Sequence, residues 1–195
     1  MASILKVDTI QDQSGNNIIN ENADTITIGA SGDTITVPTG ATFSAPNIVN
    51  TPAFAAKMSG TQSIAHDTST KLQLNTEIFD TASAYDTSTY KFTPQTAGKY
   101  YCTLNILFDG GGQGNLRIAN AQIYFNGSLA YISGDDKATG YENNGRESLS
   151  AIITFNGSSD YIEPYAYAFT QNSANITMGG TPTYDSQFSA FKIIE

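Results

Sequence analysis

Few side chains here could do covalent or metal chemistry. His66 stands in Ile64-Ala-His-Asp-Thr-Ser69, beside Asp67 and close to Ser69, the residue types of a nucleophile–base–acid triad. Neighbours on an extended chain point to opposite sides, and no Gly-x-Ser-x-Gly elbow exists to expose a serine. The three therefore read as structural residues, and no enzyme is expected from them. Cys102, the single cysteine, cannot close a disulfide within its chain, and one histidine cannot supply a His-rich zinc site. Cys102 lies between Tyr100 and Leu104 on an apolar strand face, which reads as core packing. The remaining candidates are carboxylates. Asp109, Asp135, Asp136, Glu142 and Glu147 could gather oxygen ligands for Ca²⁺, although their spacing fits no EF-hand loop. Two of them at the right separation would also make a glycosidase pair. The simplest reading is a solvated acidic surface. Asn126-Gly-Ser128, Asn156-Gly-Ser158 and Asn175-Ile-Thr177 match glycosylation sequons and read as turn residues.

The elements that must carry these residues are strands. The chain has 195 residues, only 14% of them charged, and nine Lys and Arg against eighteen Asp and Glu give a net charge of −9. A protein that binds by releasing counterions from phosphate backbone is excluded by that sign, so no nucleic acid partner is expected. No run approaches the roughly 18 apolar residues of a membrane span, and Lys6 and Asp8 interrupt the opening residues, so neither membrane insertion nor an export signal is expected. Residues 1–52 contain no Tyr and one Phe. Within them Asp24-Thr-Ile-Thr-Ile is followed nine residues later by Asp33-Thr-Ile-Thr-Val, an internal repeat that alternates with the period of a half-buried strand. Asp8 to Gly15 is a weaker echo, read as a docking or turn segment. Two apolar side chains per short strand cannot offset an ordering cost of about 1–2 kcal/mol per backbone residue. Parallel copies of the same arm are the economical partner, with Ile26, Ile28, Ile35 and Val37 as the core of a three-chain stalk. The alternative is a polar tail. The expected organisation is a docking segment over 1–23, a β-repeat stalk over 24–52 and a head over 53–195.

Ten of the eleven tyrosines lie beyond residue 89. Lys99 to Phe108 is the strongest strand, with Tyr100, Cys102, Leu104, Ile106 and Phe108 on one face and Lys99, Tyr101, Thr103, Asn105 and Leu107 on the other. Asn126-Gly127 predicts a type I′ hairpin, and Asn156-Gly157 the same device between Leu149–Phe155 and a strand beginning near Tyr161. Eight or more short strands with no helical stripe predict an all-β sandwich or jelly roll. Tyr161, Tyr165, Tyr167 and Phe169 alternate with Ile162, Pro164, Ala166 and Ala168, so both faces of that strand are apolar. The Tyr face is expected to pack between subunits. The alternative is rings covering the outside of a single copy. Gly134 to Gly145 is a long turn-rich loop in which Asp135, Tyr141, Asn143 and Asn144 offer an aromatic platform and hydrogen-bonding groups for a ligand such as a glycan.

Two resemblances add to this reading. Phe79, Asp80, Tyr85, Asp86, Phe92, Thr93, Pro94, Gly98, Tyr100 and Tyr101 occur in the order seen in the C1q-like domain, a jelly roll shared with the tumour necrosis factor superfamily. The closing Phe188-Ser-Ala-Phe191 is similar to its last strand, with Ala190 where Gly is common. This likeness covers about Ala53 to Glu195 and implies a homotrimer. The arm, over Ser3 to Ile10 and Asp24 to Val37, resembles the opening of tail-fibre and other virion structural proteins of marine bacteriophages. Together they imply a non-enzymatic virion protein, assembled in a bacterial cytoplasm. Its arm would dock on other virion proteins and its head would bind a host-surface glycan or protein. The alternative is a capsid decoration, head-fibre or tail-collar protein with a purely structural role.

Overall fold

The computed structural model describes residues 9–11, 13–14, 17–22, 25–28, 31–41, 50–109, 115–137, 141–179 and 186–194, and among these it holds strands and no α-helix. The chain forms two compact units, Met1–Ala45 and Pro46–Glu195.

In the first unit, β1 (Thr9–Gln11), β2 (Asn17–Asn22) and β3 (Thr25–Ile28) form one antiparallel sheet in that order. The first repeat, β3, pairs antiparallel with Asn17–Asn22 of its own chain and is an edge strand of this sheet. One expectation is corrected here. The second repeat, Thr34 to Val37, is extended and exposed but belongs to no strand. The Asp8–Gly15 echo contributes β1. Residues 1–8 of the docking segment and 42–49 of the stalk lie outside the described residues.

The second unit is a two-layer sandwich. Its seven-stranded sheet is built on β10 (Gly98–Asp109). Along one edge β10 pairs with all of β13 (Asn144–Phe155); along the other it pairs with β16 (Gln187–Lys192) and, at its end, β15 (Ile176–Gly179). Then β4 (Ala53–Lys57) pairs with β16, β7 (Thr76–Asp80) with β4, and β5 (Thr61–Ile64) with β15. The six-stranded sheet runs β12 (Ser128–Asp136), β11 (Leu116–Phe125), β14 (Ile162–Thr170), β9 (Lys91–Phe92), β8 (Tyr85–Asp86), with β6 (Thr70–Lys71) also on β14. Among the described residues every pair of these strands is antiparallel.

Alternation on β10 and β13 builds the core as the sequence predicts. Tyr100, Cys102, Leu104, Ile106 and Phe108 are buried, as are Leu149, Ala151, Ile153 and Phe155. The opposing layer supplies small side chains, Ala119, Ala121, Ala166 and Ala168, which make room for the large ones. Phe54 is the aromatic centre, stacked on Tyr85 and Phe92 with ring centroids 4.7 and 4.4 Å away and edge-on to Phe188 at 5.2 Å. The Tyr85 hydroxyl donates to Leu74 O at 2.8 Å, so burying that ring leaves no orphaned polar atom.

The two Asn-Gly pairs differ. Asn126 and Gly127 have φ of 51° and 80°, and they join β11 to its ladder partner β12 as the hairpin signal predicts. Asn156-Gly157 does not make a hairpin, because β13 pairs with β10 in one sheet and β14 with β11 in the other. It begins a turn that crosses the sandwich: Asn156 Oδ1 accepts from the backbone N–H of Ser158, Ser159 and Asp160 at 2.8–3.2 Å. Gly157 is required there, since with φ of 75° a Cβ would lie 2.3 Å from Ala97 N.

Candidate functional site

The expected ligand loop is shorter than Gly134–Gly145, because Gly134 to Asp136 belong to β12 and Asn144 and Gly145 to β13. Residues 138–140 lie outside the described residues. Asp135 faces Ala119 across the β11–β12 ladder, whereas Asn144 faces Asp109 in the other sheet. The Asn144 side-chain amide donates to Asn143 O at 2.8 Å and Asp109 Oδ1 at 3.1 Å. Asp135 lines a cleft of about 130 Å³ together with Arg117, Lys137, Glu142, Arg146 and Glu147, and Tyr141, Asn143 and Asn144 do not. Of the four expected ligand residues, Asp135 and Asn144 thus lie on different sheets, and Tyr141 and Asn143 lie on no strand.

Lys137 organises the cleft. Its ammonium pairs with Asp135 and lies 3.3 Å from Glu142 Oε1, and these bonds raise its pKa, the one to Asp135 most. Reciprocal backbone bonds of 3.1 Å between Leu116 and Glu142 hold Glu142 in place. Burial, followed by the negative charge of Asp135, raises the pKa of Glu147. Arg117 Nε donates to Asp136 Oδ1 at 3.3 Å. Among the described residues no three His, Cys, Asp or Glu side chains gather as metal ligands. With an ammonium between its carboxylates, the donor set does not fit calcium.

His66 and Asp67 serve the fold. His66 Nδ1 accepts from Thr170 N–H at 3.1 Å, and its ring lies 4.6 Å from Phe169. The Asp67 carboxylate accepts from the Tyr167 hydroxyl. Cys102 is fully buried, and burial pushes its thiol up to about 12. These three engage different partners.

The outer face of β14 carries Tyr165, Tyr167 and Phe169 as expected, but its rings are partly covered from within the chain. Lys91 Nζ lies 3.9 Å from the Tyr161 ring centroid and Arg117 sits over Phe169 at 5.5 Å. Tyr165 stacks on Tyr124 at 3.9 Å. Between them Glu163 is buried, paired to Lys71 and 3.6 Å from Lys91.

The open apolar surface lies on the opposite sheet. In register across β13, β10 and β16, Ile152, Tyr101 and Phe191 form one row, exposed by 57, 37 and 42%. The next row is Ser150, Thr103 and Ser189, and the one after it Ser148, Asn105 and Gln187. Thr103 and Ser189 hydroxyls share a 2.7 Å hydrogen bond. The centre of this face therefore carries no charge, in a chain of net charge −9. A second apolar surface is β12, at the edge of its sheet, where Leu129, Tyr131 and Ile132 are exposed by 48, 37 and 54%. Neither surface was singled out by sequence reasoning. Ile152 was visible as the one apolar residue among Ser148, Ser150 and Thr154 on the outward positions of β13, whereas the openness of β12 depends on which strands flank it.

Among the described residues no helix is long and apolar enough to cross a membrane. No protein-family model matches the chain, and no curated protein matches it. Solved structures do. Eiger TNF from S. frugiperda is 11% identical, with a TM-score of 0.53 over 72% of this chain and 91% of its own. Murine APRIL at pH 5.0 is 9% identical, with a TM-score of 0.53 over 72% of this chain and 98% of its own. The globular domain of zebrafish complement 1qA protein is 17% identical, with a TM-score of 0.49 over 73% of this chain and 97% of its own. The two likenesses above 0.5 show that the head has the jelly-roll fold of the tumour necrosis factor type, the fold that the resemblance implies.

Proposed function

We propose that this chain is a non-enzymatic, homotrimeric virion structural protein of the tail-fibre type, whose head associates through its uncharged sheet face and presents loop ends to a host-surface ligand. The observation that carries the association is the Ile152–Tyr101–Phe191 row. Like-charged copies can approach there without repulsion, and apolar area leaves water when they do, at about 25 cal/mol per Å². The apolar edge of β12 supports a ring over a two-fold pair. A face on one copy and an edge on the next make a heterologous contact, and such contacts close into a ring when the rotation from copy to copy is a whole fraction of a turn. Three as the ring size comes from the C1q-like resemblance. The virion setting rests on the resemblance of Ser3–Ile10 and Asp24–Val37 to phage structural proteins. Three heads per fibre would turn weak contacts into durable attachment by raising effective concentration.

Sedimentation at micromolar concentration tests the association. Three times 20.8 kDa is expected, and a well-behaved single copy overturns it. Imaging a particle with a label on the head tests the setting: a distal position on a tail fibre supports attachment, and a site on the capsid overturns it in favour of a decoration role. The ligand is tested by adsorption. Asp135→Ala and Tyr141→Ala together are expected to weaken it with the trimer intact, and unchanged adsorption removes these residues from the site.

A further inference from the structure

His66 is the only histidine in the chain, and it serves as a hydrogen-bond acceptor at one end of the six-stranded sheet. It lies two residues beyond β5, partly buried, in a parallel bridge with Ala168 of β14. Its Nδ1 accepts from the Thr170 N–H at 3.1 Å. Thr170 is 1% exposed, so water does not stand ready to replace that acceptor. The Thr170 hydroxyl also lies 3.0 Å from Nδ1, but its hydrogen is given to Ala174 O at 2.7 Å. The neutral ring therefore carries its hydrogen on Nε2, with the Nδ1 lone pair turned to Thr170.

The same residue ties two turns to β14. The His66 N–H donates to Asn175 Oδ1 at 3.2 Å, and the Asp67 N–H donates to Ala168 O at 2.9 Å. Beyond Thr170, the Gln171 N–H donates to Asn115 O at 2.9 Å, one residue before Leu116 in the wall of the charged cleft. The charged groups that flank the imidazole are engaged elsewhere. On its own segment the Asp67 carboxylate accepts from the Tyr167 hydroxyl. On β11, Arg117 shares the Phe169 ring with it, the imidazole 4.6 Å and the guanidinium 5.5 Å from that ring's centroid, and Arg117 is paired to Asp136. Residues 171–175 bring no titratable side chain.

An imidazolium carries hydrogen on both nitrogens and accepts nothing. A proton taken from solvent by Nδ1 can be donated to Thr170 Oγ1, but it leaves the buried Thr170 N–H without an acceptor, and an orphaned buried donor costs more than an ordinary hydrogen bond contributes. Ring and N–H are both satisfied only when the contact opens to water. We infer that His66 is an acid-operated latch: protonation of Nδ1 loosens residues 65–68 and the 170–175 turn from the end of β14, beside the cleft. The inference uses contacts within one copy and stands apart from the trimeric and virion readings.

Amide exchange of the full-length chain, followed by magnetic resonance, tests it. His66→Asn sets Oδ1 near the position of Nδ1, as an acceptor that takes no proton at the pH values used. Histidine changes charge between about pH 8 and pH 5, and comparing the two proteins at one pH cancels the intrinsic pH dependence of exchange. The Thr170 N–H is expected to exchange about ten-fold faster in the native chain than in His66→Asn at about pH 5, and at similar rates at about pH 8. Similar rates at both pH values overturn the latch. The native ring decides independently of the variant, because a single histidine leaves no doubt which nitrogens are observed. Nδ1 unprotonated at about pH 8, with the Thr170, Asp67 and Gln171 amides shifting as the ring titrates, supports the latch. Nδ1 protonated at about pH 8, or amides that stay fixed through the ring's titration, overturn it.

Discussion

The outer faces of the two sheets are both rich in large apolar side chains, yet they are finished in opposite ways. On β14 the rings are partly shielded by Lys91, Arg117 and a stacked Tyr124, and a buried Glu163 is held between two lysines. On β13, β10 and β16 the row of Ile152, Tyr101 and Phe191 has rows of hydroxyl and amide side chains on one side and Lys99 opposite Thr154 on the other. Aromatic content alone therefore does not separate the two faces. What separates them is cover from within the chain, since lysine and arginine lie over the rings of β14.

The sharpest way to break this contrast is a charge on each face. Ile152→Lys is expected to reduce the sedimenting mass from three chains to one, because it buries an unpaired ammonium in the contact. Tyr165→Lys, at the corresponding outward position of β14, is expected to leave the mass unchanged. The reverse result would return the interface to the tyrosine face.

Stability is expected to respond the other way. Lys71→Met leaves Glu163 buried with only Lys91 nearby, 3.6 Å away. Breaking a fully buried pair costs about 3–5 kcal/mol; because Lys71 keeps 30% of its surface exposed, we expect about 2–4 kcal/mol by chemical denaturation, again without change in mass. A loss below about 0.5 kcal/mol would mean that the buried carboxylate is not held by Lys71.

Acid separates a turn from both faces. Hydrogen bonds from the Ser88 and Thr89 hydroxyls, then from backbone N–H groups, lower the Asp86 carboxyl from 3.8 to about 2. A group more acidic in the folded state adds stability above its unfolded pKa and loses it as pH falls toward its folded one. Melting temperature should therefore drop between about pH 4 and pH 2, and Asp86→Asn should flatten that part of the profile. An unchanged acid slope would show that other carboxylates carry it.

The smallest effect is expected at Cys102. With its thiol pushed up to about 12 by burial, it should not react with a thiol reagent at pH 8 in the native chain or in Ile152→Lys. Reaction in the variant would mean that the charge opened the core as well as the contact, and would spoil the comparison.

Much of the head was legible from local pattern. The alternation of Tyr100 to Phe108 and of Leu149 to Phe155 determined which side chains face inward, because a strand has a period of two and water rejects the apolar side. Asn126-Gly127 determined a hairpin, because few residue pairs accept positive φ twice. In the arm, the repeat alone shows Ile26 and Ile28 alternating with threonines, whereas the alignment of Ile10 and Ile19 with Ile28 comes from the register of β1 and β3 on β2. The same dipeptide at Asn156-Gly157 became a crossover, and the loop residues Asp135 and Asn144 parted onto different sheets, since strand partners come from distant segments. Pairing also chose which outer face stays open: the cations over the β14 rings come from Lys91 and Arg117, far away in sequence. Local chemistry sets which way a side chain points, while only long-range pairing sets what waits there to meet it.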